Sequence, residues 1–393
     1  MLSATIRAEL DRLLPDDDTP YALAFSGGGD SLALLKALAD DPRLKGVLHV
    51  DHGLREESAK EAEFAATLAT RLCTTATVLR WEPGEIDSGL QEKARRARYR
   101  LMGEWCRAKG VRHLVTAHHA DDQAETVLMR LERGSGWRGA SGMAATTYAP
   151  VWPELAGVWL LRPALGLRKA DLTSTLGGHA PVDDPSNANT DFARVQARER
   201  LAVDETLRAE MLDLAGAMAR GRRHDRERLV ADLHGYALSH EGVLTIPRKI
   251  GLTSLAALMP IIGGSSGPVD RARLRNRMSV LFSGKPVALG YGTMGQWSDG
   301  ALTLTRDPVA MTGRKDGTLE PTAVRMEIVR RPRIWDGRFM VSGQGGVLNP
   351  ERRGHHVGYR ILYRRDVTVQ NLVEDRLNAL LQTDAALMPQ PAA

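Results

Sequence analysis

The chain has 393 residues, 43% of them hydrophobic and 26% charged, with a net charge of +5 at pH 7. That length predicts two or more domains, because single cores rarely grow past about 250–300 residues, and no apolar run approaches the roughly 20 residues that span a membrane. Only Cys73 and Cys106 are present, far apart and outside any CxxC spacing, which argues against a disulfide framework, a structural zinc site or an iron–sulfur cluster and fits two buried thiols in a reducing cytoplasm.

In chain order, "MLSATIRAELDRLLPDDD" predicts a short amphipathic helix with no secretory pattern. Residues 20–130 then alternate strand-like and helix-like pieces four times: "YALAF", "LKGVLHVDH", "TTATVLRW" and "RHLVTAHH" each lead into a helical run. This predicts an α/β fold, a parallel sheet with helices on both faces and ligands at the carboxyl ends of its strands. Residues 134–192 read as long loops with short elements such as "WLLRPAL"; a helix resumes at Phe192. From about 203 to 285 the pattern is helical and Arg-rich, and from about 286 to 365 it is strand-like with Gly punctuation. The expected domains are 1–202, 203–300 (mainly helical) and 301–393 (strand-containing, with a disordered tail at "MPQPAA"). Charge is uneven: residues 1–200 hold 26 Lys+Arg against 28 Asp+Glu, and residues 201–393 hold 27 against 20, so the C-terminal half suits a polyanionic partner.

The first strand ends in "SGGGDS", Ser26, Gly27, Gly28, Gly29, Asp30 and Ser31. Glycines let backbone N–H groups converge on an anion, and the following helix adds its positive end, so a phosphate or pyrophosphate is the expected occupant. The loop lacks the lysine of a Walker A sequence and the third glycine of a dinucleotide fingerprint. "HVDHGLREES" follows the second strand, where His52 and Arg55 suit phosphate or a nucleotide edge. On "GLQEKARRARYR", Gln91, Arg95 and Arg98 share a helix face with Tyr99 alongside, which suits a nucleic-acid strand. In "TAHHADDQAET", His118 and His119 end a strand while Asp121, Asp122 and Glu125 open a helix, a carboxylate cluster suited to Mg²⁺ or an ammonium group. Arg194 and Arg198, one turn apart after "DDPSN", suit a carboxylate or phosphate.

"SGGGDS" resembles the SGGxDS loop of the PP-loop ATP pyrophosphatases (adenine nucleotide alpha hydrolase-like). That superfamily cleaves ATP between its α- and β-phosphates, so the loop would hold the leaving pyrophosphate and Asp30 would help place Mg²⁺. With "HVDHGLR", "QEKARRARY", "TAHHADDQAET", "RGSG", "LLRPAL" and the two downstream arginines in this order, residues 20–200 look like the tRNA(Ile)-lysidine synthetase family. Val195 departs from the asparagine usual in that family. The resemblance implies ATP-dependent ligation of free L-lysine to the first-anticodon-position cytidine of tRNA(Ile) with a CAU anticodon. It implies a cytoplasmic enzyme, with no membrane partner and with its oligomeric state, monomer or homodimer, left open. It further implies that Arg98, with Arg95, positions the cytidine, that Asp122 and Glu125 hold the ammonium ends of lysine, and that Arg198 holds its carboxylate. Arg271, Arg273, Arg275 and Arg277 are expected against tRNA phosphates. Two other readings stay open: another adenylating PP-loop enzyme, thiolating or amide-forming, and a non-catalytic nucleotide- or RNA-binding module. The first needs reactive cysteines or an ammonia-supplying partner, and the second predicts ATP binding without AMP release.

Overall fold

The structure, a computed structural model, describes residues 2–53, 58–72, 76–82, 90–135, 140–151, 154–177, 192–239, 242–263, 269–307, 334–336, 339–342, 346–353, 356–363 and 369–381. The chain divides into two compact units, residues 1–223 and 224–393.

The first unit carries strands β1 (Tyr21–Ala24), β2 (Leu44–Asp51), β3 (Ala76–Arg80), β4 (His113–Val115), β5 (Thr146–Tyr148) and β6 (Trp159–Leu161). They form one sheet in the order β3-β2-β1-β4-β6-β5, parallel except for the edge strand β5. Its helices are α1 (Leu2–Leu13), α2 (Gly29–Leu38), α3 (Ser58–Leu72), α4 (Leu90–Ala108), α5 (Ala120–Glu132), α6 (Lys169–Ser174) and α7 (Phe192–Val203). The long helix α8 (Glu205–Asp232) runs across the division.

Alternation along β1 assigns the two faces. Tyr21, Leu23 and Phe25 join α1, α2 and α3 in one core, whereas Ala22 joins Tyr99, Met102 and Cys106 of α4 in the other. Leu32, Leu34, Leu35 and Leu38 of α2 are each 0% exposed, and burial of each contributes roughly 2 kcal/mol. Helix α4 lies close on the sheet because β2 has a glycine beneath it: a Cβ at Gly46 would sit 2.5 Å from the Trp105 ring. Arg96 pairs with Glu154 at 2.6 Å, and Arg107 donates to the carbonyls of Glu154 (3.0 Å) and Ala156 (3.1 Å), so α4 is clamped at three places.

The chain leaves β1 toward β2 and later returns through α4 to β4 on the other side of β1. The order therefore reverses between β1 and β4, which opens a crevice at their carboxyl ends. The loops at 25–28 and 116–119 flank it.

The second unit holds β7 (Ala237–Leu238), β8 (Leu244–Ile246), β9 (Val287–Gly290), β10 (Thr293–Ser298) and β11 (Ala301–Arg306), in a sheet of order β7-β8-β11-β10-β9. Helices α9 (Leu252–Gly263), α10 (Arg271–Leu281) and α11 (Val369–Leu381) accompany it, and Leu255, Leu258, Leu274, Val373 and Leu377 share its core. Strands β12 (Ile334–Asp336), β13 (Phe339–Ser342), β14 (Gly346–Arg353) and β15 (His356–Tyr363) form an antiparallel sheet in chain order. The stretch from 203 to 285, read as helical, thus also contains the short strands β7 and β8, whereas β9 to β11 fall where the strand-like pattern begins. The boundary expected at 300 lies in the β10–β11 turn, where Ser298 pairs with Ala301. No described helix is long and apolar enough to cross a membrane.

Candidate active site

The loop after β1 is braced by its own hydroxyls. Gly27 takes φ +86°, a conformation that favours glycine. The Gly28 N–H donates to Ser26 Oγ (3.3 Å), Ser31 Oγ donates to the Gly28 carbonyl (2.9 Å), and the two hydroxyls lie 3.1 Å apart. Helix α2 starts at Gly29 with Gly28 as its N-cap, a residue with no side chain to bond the first turn. Its first N–H groups therefore point out of the helix start without intrahelical acceptors, which suits an anion.

Asp30 sits in that first turn and faces β4. Its Oδ2 lies 3.6 Å from His119 Nε2 and 3.8 Å from Lys169 Nζ, while its buried Oδ1 has no partner among the described residues. Burial would raise the Asp30 pKa, but the His119 hydrogen bond, Lys169 and Arg198 outweigh it and hold the carboxyl below its ordinary value. His119, 3% exposed, caps α5: its Nδ1 accepts from the Asp122 N–H (3.3 Å), and its own N–H donates to Asp122 Oδ2 (3.1 Å). Because Nδ1 is an acceptor, the ring proton belongs on Nε2, which lies 3.3 Å from Asp122 Oδ2 and 3.6 Å from Asp30 Oδ2.

Glu125, one turn along α5 and 3% exposed, meets α7. Arg194 donates to its Oε2 at 2.8 Å and to Asp122 Oδ1 at 2.7 Å, and Arg198 donates to its Oε1 at 2.9 Å. The result is a quartet of two carboxylates and two guanidinium groups. The Glu125 hydrogen bond comes first among the causes that raise the Arg198 pKa. Beneath it, Ala124, Val127 and Leu128 of α5 share a core with Ala197 and Leu201 of α7, so apolar spacing on both helices brings the charged edges together.

On α4 the guanidinium groups of Arg95 and Arg98 lie 5.1 and 5.5 Å from the centre of the Tyr99 ring. At the end of β4, His118 Nδ1 is 2.9 Å from Thr116 Oγ1. Desolvation, with the charges of Arg162, Arg98, Arg194 and Arg95, lowers the His118 pKa to about 3. Between pH 6.5 and 3 an unfolded chain takes up a proton that the folded ring refuses, so the folded state loses stability as pH falls through that window. Urea unfolding of the wild type should show a loss at pH 5 relative to pH 7 that is about 2 kcal/mol larger than that of His118→Asn. Equal losses in the two proteins would remove His118 as a cause.

A family model described as a PP-loop domain matches residues 2–205. The tRNA(Ile)-lysidine synthase of Methylobacterium nodulans is 37% identical over 332 residues, covering 77% of this chain and 95% of that protein. Those of Novosphingobium aromaticivorans (37%, covering 79% and 96%) and a Bradyrhizobium species (44%, covering 78% and 93%) match to similar extents. This chain belongs to the tRNA(Ile)-lysidine synthase family. Among solved structures, the U34-tRNA thiolase NcsA from Methanococcus maripaludis with its [4Fe-4S] cluster superposes with a TM-score of 0.44 at 14% identity, over 56% of this chain and 77% of that one.

Most residues expected to act in this lysidine synthase relative meet at one sheet end. Ser26 to Ser31, with Asp30, face the start of α5, and Asp122, Glu125 and Arg198 meet in the quartet, which Arg194 completes. Asp121 does not join them: it accepts from the Lys169 N–H (2.8 Å) and lies 3.6 Å from Arg168 and Arg208. His52 packs edge-on against Trp81. Arg55, the "DDPSN" turn and Cys73 lie outside the described residues. Cys106 is buried, and burial pushes its pKa up to about 12. On α10, Arg273 and Arg275 are exposed, while Arg271 and Arg277 are half-buried. His119, Lys169 and Arg162 were not singled out as site residues. A lysine does reach Asp30, but it is Lys169, from far along the chain, whereas Lys36 on α2 turns away to the carbonyls of Thr175 and Leu176.

Proposed function

We propose that this enzyme ligates free L-lysine to C2 of the cytidine at the first anticodon position of tRNA(Ile) with a CAU anticodon, consuming ATP and releasing AMP and pyrophosphate. The observation that carries this reading is the pairing, across the β1–β4 crevice, of an anion loop containing Asp30 with the Asp122–Glu125–Arg194–Arg198 quartet. A phosphate site beside a site of mixed charge is what a nucleotide and an amino acid together require.

In the first step the C2 carbonyl oxygen of the base attacks the α-phosphorus of ATP and pyrophosphate leaves. Residues 26–31, held in shape by their internal hydroxyl bonds, cradle the departing group at the N-terminal end of α2, whose first N–H groups lack intrahelical acceptors. The unpartnered Asp30 Oδ1 fits Mg²⁺, which is commonly bound by one or two carboxylates plus substrate phosphates and needs no cluster of protein ligands. When bound there, Mg²⁺ would spread the charge of the leaving group. Lys169 is placed to support the same charge.

In the second step the ε-amine of lysine gives up a proton, attacks C2, and AMP leaves with the oxygen. The quartet is charge-balanced, so an amino acid can exchange into it, its ammonium meeting Asp122 and Glu125 and its carboxylate meeting Arg198. A carboxylate of this set also accepts the proton the amine must lose. Arg98, with Arg95 and Tyr99, holds the cytidine. Thiolation is disfavoured by Cys106, which is buried with a raised pKa.

The test is direct. Purified protein, ATP, Mg²⁺ and labelled lysine should transfer label to a CAU-anticodon tRNA transcript and release one AMP per lysine fixed. ATP bound without AMP release would instead make this a binding module. Affinity for the transcript should fall steeply between 50 and 200 mM salt, roughly 10³-fold if about six phosphates are contacted. A flat response would leave the basic C-terminal half without a role.

A further inference from the structure

Arg162, directly after β6, is only 7% exposed. Its NH1 donates to the Ala144 carbonyl (2.6 Å) and Thr147 Oγ1 (3.1 Å), both neutral acceptors. Among the described residues its buried Nε has no hydrogen-bond partner and no carboxylate pairs with it. Burial lowers its pKa to about 10, Tyr99 opposes that and Arg95, a like charge, adds to it; Arg98 and Arg194 share with it the influence on His118, Arg194 being itself paired with Asp122 and Glu125. A buried cation with two neutral acceptors and like-charged neighbours is unfavourable in the free protein. A neutral amide side chain would brace the same carbonyl without that cost, so the charge calls for an anion that arrives from outside.

Three anions reach this region in the proposed reaction. The ATP phosphates have the loop at β1, two strands away from β6 in the sheet, or about 10 Å. The lysine carboxylate has Arg198. The remaining anion is the RNA backbone, which would be presented to α4, whose Arg95 and Tyr99 act on Arg162. Leu161 pairs with Val115, and the Thr116 N–H donates to the Leu161 carbonyl, so Arg162 sits at the same carboxyl end as His118.

We propose that Arg162 binds a backbone phosphodiester of the RNA substrate next to the reacting nucleotide. This rests on the reading of the chain as a tRNA-modifying enzyme. The test measures binding of a CAU anticodon stem–loop RNA to the full chain by fluorescence anisotropy, from 50 to 250 mM KCl without ATP. Arg162→Gln removes the charge and keeps an amide donor for Ala144. It is expected to weaken binding about tenfold at 150 mM and to make the log–log salt slope shallower by about 0.7–0.9, one phosphate's share. Arg162→Lys should retain the wild-type slope. Thr147→Val, which removes one brace and no charge, should leave slope and affinity unchanged, as should Arg162→Gln for binding of α,β-methylene-ATP. An unchanged slope in Arg162→Gln, or an equal change in Thr147→Val, would overturn the assignment, and a loss confined to the ATP analogue would move Arg162 to the nucleotide phosphates. A wild type that does not bind the RNA would sink the tRNA-modifying reading and this assignment with it. A wild type that binds with an unaltered slope in Arg162→Gln sinks the assignment alone.

Discussion

Replacing Asp30 with asparagine is expected to cut ATP–pyrophosphate exchange by about 100- to 1,000-fold, the scale on which removal of one charge-stabilising group acts, while RNA affinity stays within about twofold. The variant keeps the shape of the side chain, and the hydroxyl bonds of Ser26 and Ser31 that brace the loop do not involve it. What it loses is charge at the buried carboxylate oxygen of the loop that has no partner among the described residues. That loss falls on the first step, in which the leaving pyrophosphate gathers negative charge. Exchange within tenfold of wild type would show that Asp30 merely positions His119 and Lys169.

Glu125→Gln is expected to raise the lysine KM at least tenfold, to spare base adenylation, and to lower the thermal midpoint by several degrees. Glu125 is almost wholly buried and takes bonds from both Arg194 and Arg198. Removing one partner of a fully buried pair costs about 3–5 kcal/mol. Both arginines remain partly exposed, which reduces this to about 1–2 kcal/mol, or about 3–6 °C for a unit of this size. Thermal shift and lysine titration separate the two effects. A lower midpoint with an unchanged lysine KM would make the quartet a structural tie between α5 and α7 and nothing more.

The catalytic half was largely legible because its signals are local. Each of the four strand–helix alternations is contiguous in sequence, the glycine loop and the acids at a helix start each lie within a dozen residues, and a parallel sheet brings all strand ends together. Pairings across long separations were less legible. Arg194 and Arg198 suited a carboxylate, but nothing in their spacing says it is Glu125, and Lys169 reaches Asp30 from 139 positions away. Asp121 and Asp122 are neighbours with the same chemistry; a helix turns them about 100° apart, so one enters the quartet and the other ties down α6 and α8. In the second unit, strands as short as two residues are too brief to show alternation, which is why a stretch containing them read as helical.

The clamping of α4 has a mechanical consequence. With Trp105 seated on Gly46 and with Arg96 and Arg107 fixed to residues 154–156, this helix is a rigid comb whose free teeth are Arg95 and Arg98. Such a comb does not reshape itself around a flexible strand; on the proposed role of Arg95 and Arg98 the nucleotide must come to it, and the entropy of fitting falls on the RNA. Gly46 therefore acts as a spacer that sets the height of the comb above the sheet. A single methyl there would press on Trp105, which is seven residues or about 10 Å along the helix axis from Arg98, and would lift the teeth and detune the site for RNA, although β2 itself carries none of the residues assigned to either substrate.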